Sequence, residues 1–484
     1  MFIKNFFLKN KGIKQTVFKN VFWIAMAAMI QKVVGFIVIV WIARHFGPTV
    51  YGQWSFALSF VIIFSVLANF GFDALTIREI ARDQSGAAQY IDNIFAMKLL
   101  LGSATFVLIV FVARLLNKGP EVIKLIYFLG IYMVINTFIV FFQSIFRASQ
   151  KMQYETVCRG IQALSLLGFV SLLILTKSSI IEISYAYVCA GIVGLLFSAI
   201  FTWRYFTRFS LKIDITVCTE ILKKAWPFAL SVIAITVYYR IDTVMLGVFK
   251  DDQAVGYYGA AYTIILLIIG GISFLMNAIF PSLSILYKSS MAKFKDNVNL
   301  YFKMVLLLSV PLVTLVFCFS KTIVNVIYGN KFAEFTPLIL QILVWSVLLL
   351  YTYAIYSVGL SASDKQKVYL KGVVSGAIFN VVANLLVIPK YTYYGAAVTT
   401  ILTEILVGGY IGYNFLKLNE MKLPIIFIQK VLLSSLLMGL TIFFCIHFEW
   451  FSLVLSAIFG VIVYVLMIFI LKAVKRNLWT ILKT

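Results

Sequence analysis

The chain has little of what chemistry in water requires. Only 12% of its 484 residues are charged and 62% are hydrophobic, where an ordinary soluble domain is about a quarter charged and nearer half apolar. A mean hydropathy of +1.00 excludes a soluble globular fold. Histidine occurs twice, as His45 and His447 near predicted helix ends, and no metal-ligand cluster forms around either. The five cysteines (Cys158, Cys189, Cys218, Cys318, Cys445) are scattered, odd in number and without C-x-x-C spacing, so they read as packing residues. No phosphate-cradling G-x-x-x-x-G-K-[ST] occurs, which excludes a P-loop ATPase. Acidic residues number 18 against 41 basic ones. The resulting net charge of +23 lies at helix ends rather than in one patch, so nucleic acid is not an expected partner.

What is present is apolar runs of membrane length. Crossing a ~30 Å hydrocarbon core takes about twenty such residues, and about fourteen runs occur, near 22–43, 51–74, 94–116, 122–145, 157–176, 183–203, 225–248, 256–285, 302–320, 338–360, 369–389, 396–416, 425–447 and 451–472. With the N-terminus placed in the cytoplasm, the cytoplasmic loops hold 28 basic residues and the opposite loops 9. That imbalance predicts a multi-pass protein of the cell membrane with both termini cytoplasmic. Residues 1–21 form a basic cytoplasmic lead-in, too long in its apolar continuation for a cleaved signal peptide.

The fold expected is all-α and polytopic. The polar segment 204–224 divides a first lobe, 22–203 (spans 1–6), from a second, 225–416 (spans 7–12). Spans 13 and 14 and a basic tail occupy 417–484. Val50-Tyr51-Gly52-Gln53 opens the second span and Ala254-Val255-Gly256-Tyr257 opens the eighth, an echo 204 residues apart. A six-helix repeat keeps its orientation in the bilayer, so two pseudo-symmetric bundles related by an axis along the membrane normal are predicted, with two helices added.

Charged side chains deep in spans point to the work, because each costs about 2.5–3.5 kcal/mol at the bilayer centre unless paired or wet. Lys32 shares a stripe with Ala25, Ala28 and Gly35. Arg240 shares one with Thr236, Thr243 and Gly247. Each half thus offers a deep cation from its opening helix, and together they would suit a phosphate-bearing ligand. The alternative for Lys32 is a structural carboxylate partner. Asp242 lies about 200° around the helix from Arg240 and faces another neighbour. Neutralising Lys32, coupling to an ion and capping a structural network are all open to it. Glu404, on a face with Ala397 and Thr400, is a candidate proton or sodium site, with structural pairing as the alternative. Lys98 is also inside a span. Asp73, Arg78 and Arg82 after the second span, with Arg147 and Lys151 after the fourth, are candidates for a cytoplasmic gate; the plain alternative is solvated salt bridges.

The segment Asn380-x3-Asn384-x3-Ile388-Pro389-Lys390-x4-Gly395-Ala396-Ala397-x-Thr399-Thr400 resembles the eleventh-to-twelfth-span signature of the polysaccharide transporters. These form the O-antigen flippase-like branch of the multidrug/oligosaccharidyl-lipid/polysaccharide exporter superfamily. Gly71-Phe72 to Arg82, Arg147 with Lys151-Met152, and Tyr328-Gly329-Asn330-Lys331-Phe332 add to the resemblance, which runs over essentially the whole chain. Tyr393-Tyr394 before Gly395 stand where the family usually has a glycine shortly after Ile-Pro. The resemblance implies two six-helix bundles around a cavity open to one side at a time, with Asn380 and Asn384 as candidate substrate-binding residues beside Lys32, Arg240, Thr236 and Thr243. It implies a polyprenyl-diphosphate-linked oligosaccharide moved to the outer leaflet, and polymerase or glycosyltransferases of the same pathway as partners. No cofactor and no catalytic residue is expected. An Na+ or H+ gradient, the membrane potential or product removal would supply any driving force. The rivals are a drug/cation antiporter, which would want buried carboxylates, and a peptidoglycan-precursor flippase, whose cavity would also be basic. A membrane-embedded glycosyltransferase is a further rival, but the longest exterior loop, 321–337, has one acid, Glu334, and no carboxylate pair.

Overall fold

The computed structural model describes residues 13–82, 87–207, 210–211, 213–448 and 451–473, and among these every regular element is a helix. The first twelve residues of the basic lead-in and the tail from 474 onward lie outside the described residues. Among the described residues, thirteen helices are long and apolar enough to cross a membrane. One of them counts twice. The element Gln366–Leu418 has 53 residues, about 80 Å of helix at 1.5 Å per residue, and is broken by non-helical φ/ψ at Thr392 (φ 51°, ψ −136°). It therefore supplies the eleventh and twelfth spans, and the fourteen expected from hydropathy are present.

The described contacts gather into two units, Met1–Gly256 and Tyr257–Thr484. The first holds α1 (Ile13–Phe46), α2 (Pro48–Asn69), α3 (Phe72–Arg82), α4 (Ala87–Leu115), α5 (Pro120–Ala148), α6 (Met152–Leu175), α7 (Ile180–Tyr205), α8 (Ile215–Phe249) and the opening of α9 (Asp252–Ser289). The expected lead-in is not separate from the first span: from Ile13 onward it is one continuous helix. Left-handed backbone at Phe70 (φ 45°) and Gly71 (φ 75°) ends α2 and frees α3 as a short amphipathic helix. A Cβ on Gly71 would stand 2.7 Å from Phe228 Cβ and 2.8 Å from Ala229 N, so only glycine lets the turn approach α8. Phe72, Leu75 and Ile80 of α3 then pack with Ile94 of α4, Phe141 and Ile145 of α5, and Ile221 and Ala225 of α8. The seventh span, expected to open the second lobe, packs along α2 and α3 within the first unit.

The second unit continues α9 into α10 (Met291–Cys318), α11 (Ser320–Tyr328), a 3-10 turn Asn330–Phe332, α12 (Thr336–Ala362), α13 (Gln366–Leu418), α14 (Ile425–His447) and α15 (Leu453–Ile470). The segment expected as an exterior loop, 321–337, is mostly helix, pinned where Tyr328 Oη donates to the Ala260 carbonyl at 3.0 Å. The two extra spans pack on α10. Thr314 and Ser435 hydroxyls meet at 2.5 Å, and Tyr464 Oη donates to the Leu307 carbonyl at 3.1 Å. Hydroxyls within spans commonly return to carbonyls one turn back, as Thr202 does to Ser198 (2.8 Å) and Ser434 to Lys430 (2.8 Å). In an apolar medium that is the nearest acceptor.

Candidate functional site

Lys32 stands on an open face of α1. Its side chain is exposed, and a Cβ on Gly35, one turn on, would meet nothing within 4 Å. Arg240 on α8 is half-buried, as is Thr236 one turn before it. The rest of that stripe does something else. Thr243 is buried, and a Cβ on Gly247 would lie 2.1 Å from the Phe56 ring, so this end of α8 is a helix contact with α2. Asp242 is buried too, on the same helix. Lys32 and Arg240 both belong to the first unit.

A charge cluster absent from the sequence-level expectations reaches α1 at Gln31, the residue before Lys32. Glu155 sits in the first turn of α6, where the helix N-terminus favours a carboxylate. Arg159 follows one turn later and Arg147 ends α5. The tight reversal through Gln150 (φ 55°) returns Arg147 to the side of Glu155. Arg147 grips the carboxylate with both prongs, Nε to Oε2 at 2.8 Å and Nη2 to Oε1 at 2.5 Å. Arg159 Nη2 reaches the same Oε1 at 2.9 Å. Its Nε donates to Gln143 Oε1 and its Nη1 to Gln31 Oε1, each at 3.0 Å. Gln31 is the residue before Lys32, so the guanidinium of Arg159 is tied to the helix position next to the deep lysine. The i,i+4 spacing of Glu155 and Arg159 was the available signal; near a span boundary it reads as an ordinary solvated pair.

Four of the five gate candidates have partners of their own. Asp73 pairs at 3.2 Å with Lys98, whose ammonium also donates to Asn69 Oδ1 (2.9 Å) and the Thr137 carbonyl (3.0 Å). Arg78 pairs with Glu79 at 2.8 Å and stacks over Phe228, while Arg82 is exposed. Arg147 belongs to Glu155, and Lys151 lies 5.4 Å above the Phe206 ring. Among the described residues no ion pair joins the α3 charges to Arg147 or Lys151.

In the second unit, Asn380 and Asn384 lie in a buried seam between the two halves of α13. Asn384 Nδ2 donates to Asn380 Oδ1 at 3.1 Å, and Asn380 Nδ2 to Thr403 Oγ1 at 3.4 Å. The reason is their i,i+4 spacing opposite the threonines of the returning helix. Glu404 is buried and accepts from Tyr353 Oη at 2.9 Å. Among the described residues no group of three or more His, Cys, Asp and Glu is arranged to hold a metal. The unit also has a cavity of about 980 Å3 between α10, α12 and α14, lined by Val313, Phe317, Trp345, Leu436 and Phe443 with no charged residue.

Residues 17–287 match the family model described as Polysaccharide biosynthesis protein, and residues 227–386 match the MatE model. An uncharacterized membrane protein of Methanocaldococcus jannaschii is 23% identical over 421 residues, covering 80% of this chain and 82% of that protein. A Shigella dysenteriae protein provisionally named an O-antigen transporter is 27% identical over 238 residues, 46% of this chain and 56% of its own length. Among solved structures, lipid II flippase MurJ in an inward closed conformation is similar in fold, with TM-score 0.77, 16% identity, and 92% of this chain and 97% of that one covered. An inward-facing multidrug resistance MATE family transporter of the MOP superfamily gives TM-score 0.66 at 15% identity, over 84% of this chain and 100% of that one.

Proposed function

The chain belongs to the polysaccharide biosynthesis protein family, and on that premise we propose that it flips a polyprenyl-diphosphate-linked oligosaccharide from the cytoplasmic to the outer leaflet of the cell membrane. It is a polytopic membrane transporter of the multidrug/oligosaccharidyl-lipid/polysaccharide exporter superfamily rather than an enzyme. The observation that carries the substrate reading is Lys32, a lysine mid-way along a span, standing exposed with the Arg159 guanidinium tied to the neighbouring residue. A diphosphate is the anion we assign to this lysine and this guanidinium, the one as a point charge and the other as a fork, and Arg240, partly accessible in the same unit, is assigned to it as well. A cationic drug would be repelled by the same groups, which disfavours the antiporter reading.

Transport proceeds by alternating access, with both termini in the cytoplasm. A ligand shifts such an equilibrium only as far as its affinities for the two states differ. The driving force is an ion gradient, the membrane potential or removal of product, and Asp242 and Glu404 are the buried carboxylates available for coupling. The test is flipping of a fluorescent prenyl-diphosphate trisaccharide in sealed, nucleotide-free vesicles. Movement in the presence of an imposed gradient is expected. Strict dependence on ATP, or equal movement of a tetraalkylammonium dye, overturns the reading.

A further inference from the structure

We infer that Arg147 and Arg159, held side by side by Glu155, form a second diphosphate subsite adjoining Lys32. The inference rests on the flippase reading above and adds residues to its site. One buried carboxylate is fully served by a single bidentate arginine, yet Glu155 holds two. Its side chain is 1% exposed, while those of Arg147 and Arg159 are 27% and 17% exposed. The carboxylate is therefore enclosed, while both arginine side chains keep accessible surface. The cluster keeps a net positive charge.

The donors give the same answer. A guanidinium has five N–H groups. Arg159 spends three, on Glu155, Gln143 and Gln31, and Arg147 spends two, both on Glu155. Five N–H groups remain across the pair, enough for two phosphate oxygens on each guanidinium. Gln31 and Gln143 fix Arg159 through neutral oxygens, so they orient the fork without cancelling its charge. A pair that served only to join α5 to α6 would need neither the second arginine nor the glutamine from α1. Glu155 is the positioning residue: it spaces two forks that would otherwise repel. A diphosphate, with two linked phosphates and more than one negative charge, fits a double fork beside a lysine better than a monophosphate or a phosphodiester does.

The experiment is binding of geranylgeranyl diphosphate to the purified full chain in detergent, with geranylgeranyl monophosphate and phosphatidylglycerol as competitors. Arg147→Gln and Arg159→Gln are each expected to weaken diphosphate binding about tenfold or more, the scale of a lost charge-assisted bond, while changing monophosphate binding much less. Arg159→Lys, which keeps the charge and loses the fork, is expected to retain binding but lose preference for the diphosphate. It gives the same readout where the glutamine variant fails to fold. Diphosphate affinity unchanged in both glutamine variants, an undiminished diphosphate preference in Arg159→Lys, or equal competition by phosphatidylglycerol, overturns this subsite and leaves Lys32 and Arg240 standing. Absence of diphosphate binding by the unsubstituted protein overturns both.

Discussion

Gly52 and Gly256 pack against each other's helices reciprocally. A Cβ on Gly52 would lie 1.6 Å from the carbonyl oxygen of Asp252, and a Cβ on Gly256 would lie 1.9 Å from that of Pro48. In both cases the obstacle is the residue four positions before the other glycine. Two matching N-terminal helix turns meet backbone to backbone, as small residues allow in membrane proteins. Lys118 braces the same place, pairing with Asp252 at 2.7 Å while its ammonium lies 5.0 Å over the Phe56 ring.

Replacing either glycine by alanine therefore forces backbone apart. Overpacking of this kind typically costs about 1–3 kcal/mol. Gly52→Ala and Gly256→Ala are each expected to lower the unfolding temperature of the detergent-solubilised protein. The double variant should cost less than the sum, because the two positions share one contact. An unchanged unfolding temperature in both single variants contradicts the close approach.

Asp73 is expected to matter for stability rather than transport. Its partner Lys98 is completely buried, and removing one member of a buried pair costs about 3–5 kcal/mol. Asp73→Asn should reduce folded yield and thermal stability while the protein that does fold keeps its turnover. A variant that is stable but inactive would instead return Asp73 to the gate.

Accessibility separates the two stripes. Gly35→Cys is expected to react with a water-soluble maleimide, since the space beside it is open, whereas Thr243→Cys should be protected at 2% exposure. Protection at Gly35 would mean that the open face of α1 looks onto lipid and not onto water.

Much of this was legible in the sequence. Hydropathy located the spans found among the described residues, even where Thr392 interrupts what otherwise runs as one helix, because two apolar runs flank the polar Lys390. The glycine echo was visible as a repeat. What periodicity cannot supply is the identity of the opposite surface. The Thr236–Gly247 stripe has one composition along its length, yet one end keeps accessible surface at Arg240 and the other is closed by Phe56. Asn380 and Asn384 were legible as a motif but not as a seam. Glu155 and Arg159 escaped notice because their partners, Arg147, Gln143 and Gln31, come from other helices.

The most direct test is the flipping rate of a prenyl-diphosphate-linked oligosaccharide in sealed vesicles holding equal amounts of the unsubstituted chain, Lys32→Ala and Arg240→Ala. Each substitution is expected to slow transport about 10- to 100-fold, the equivalent of one or two charge-assisted contacts, with membrane insertion unchanged. Full rates from both variants would contradict a phosphate-binding role for these two side chains.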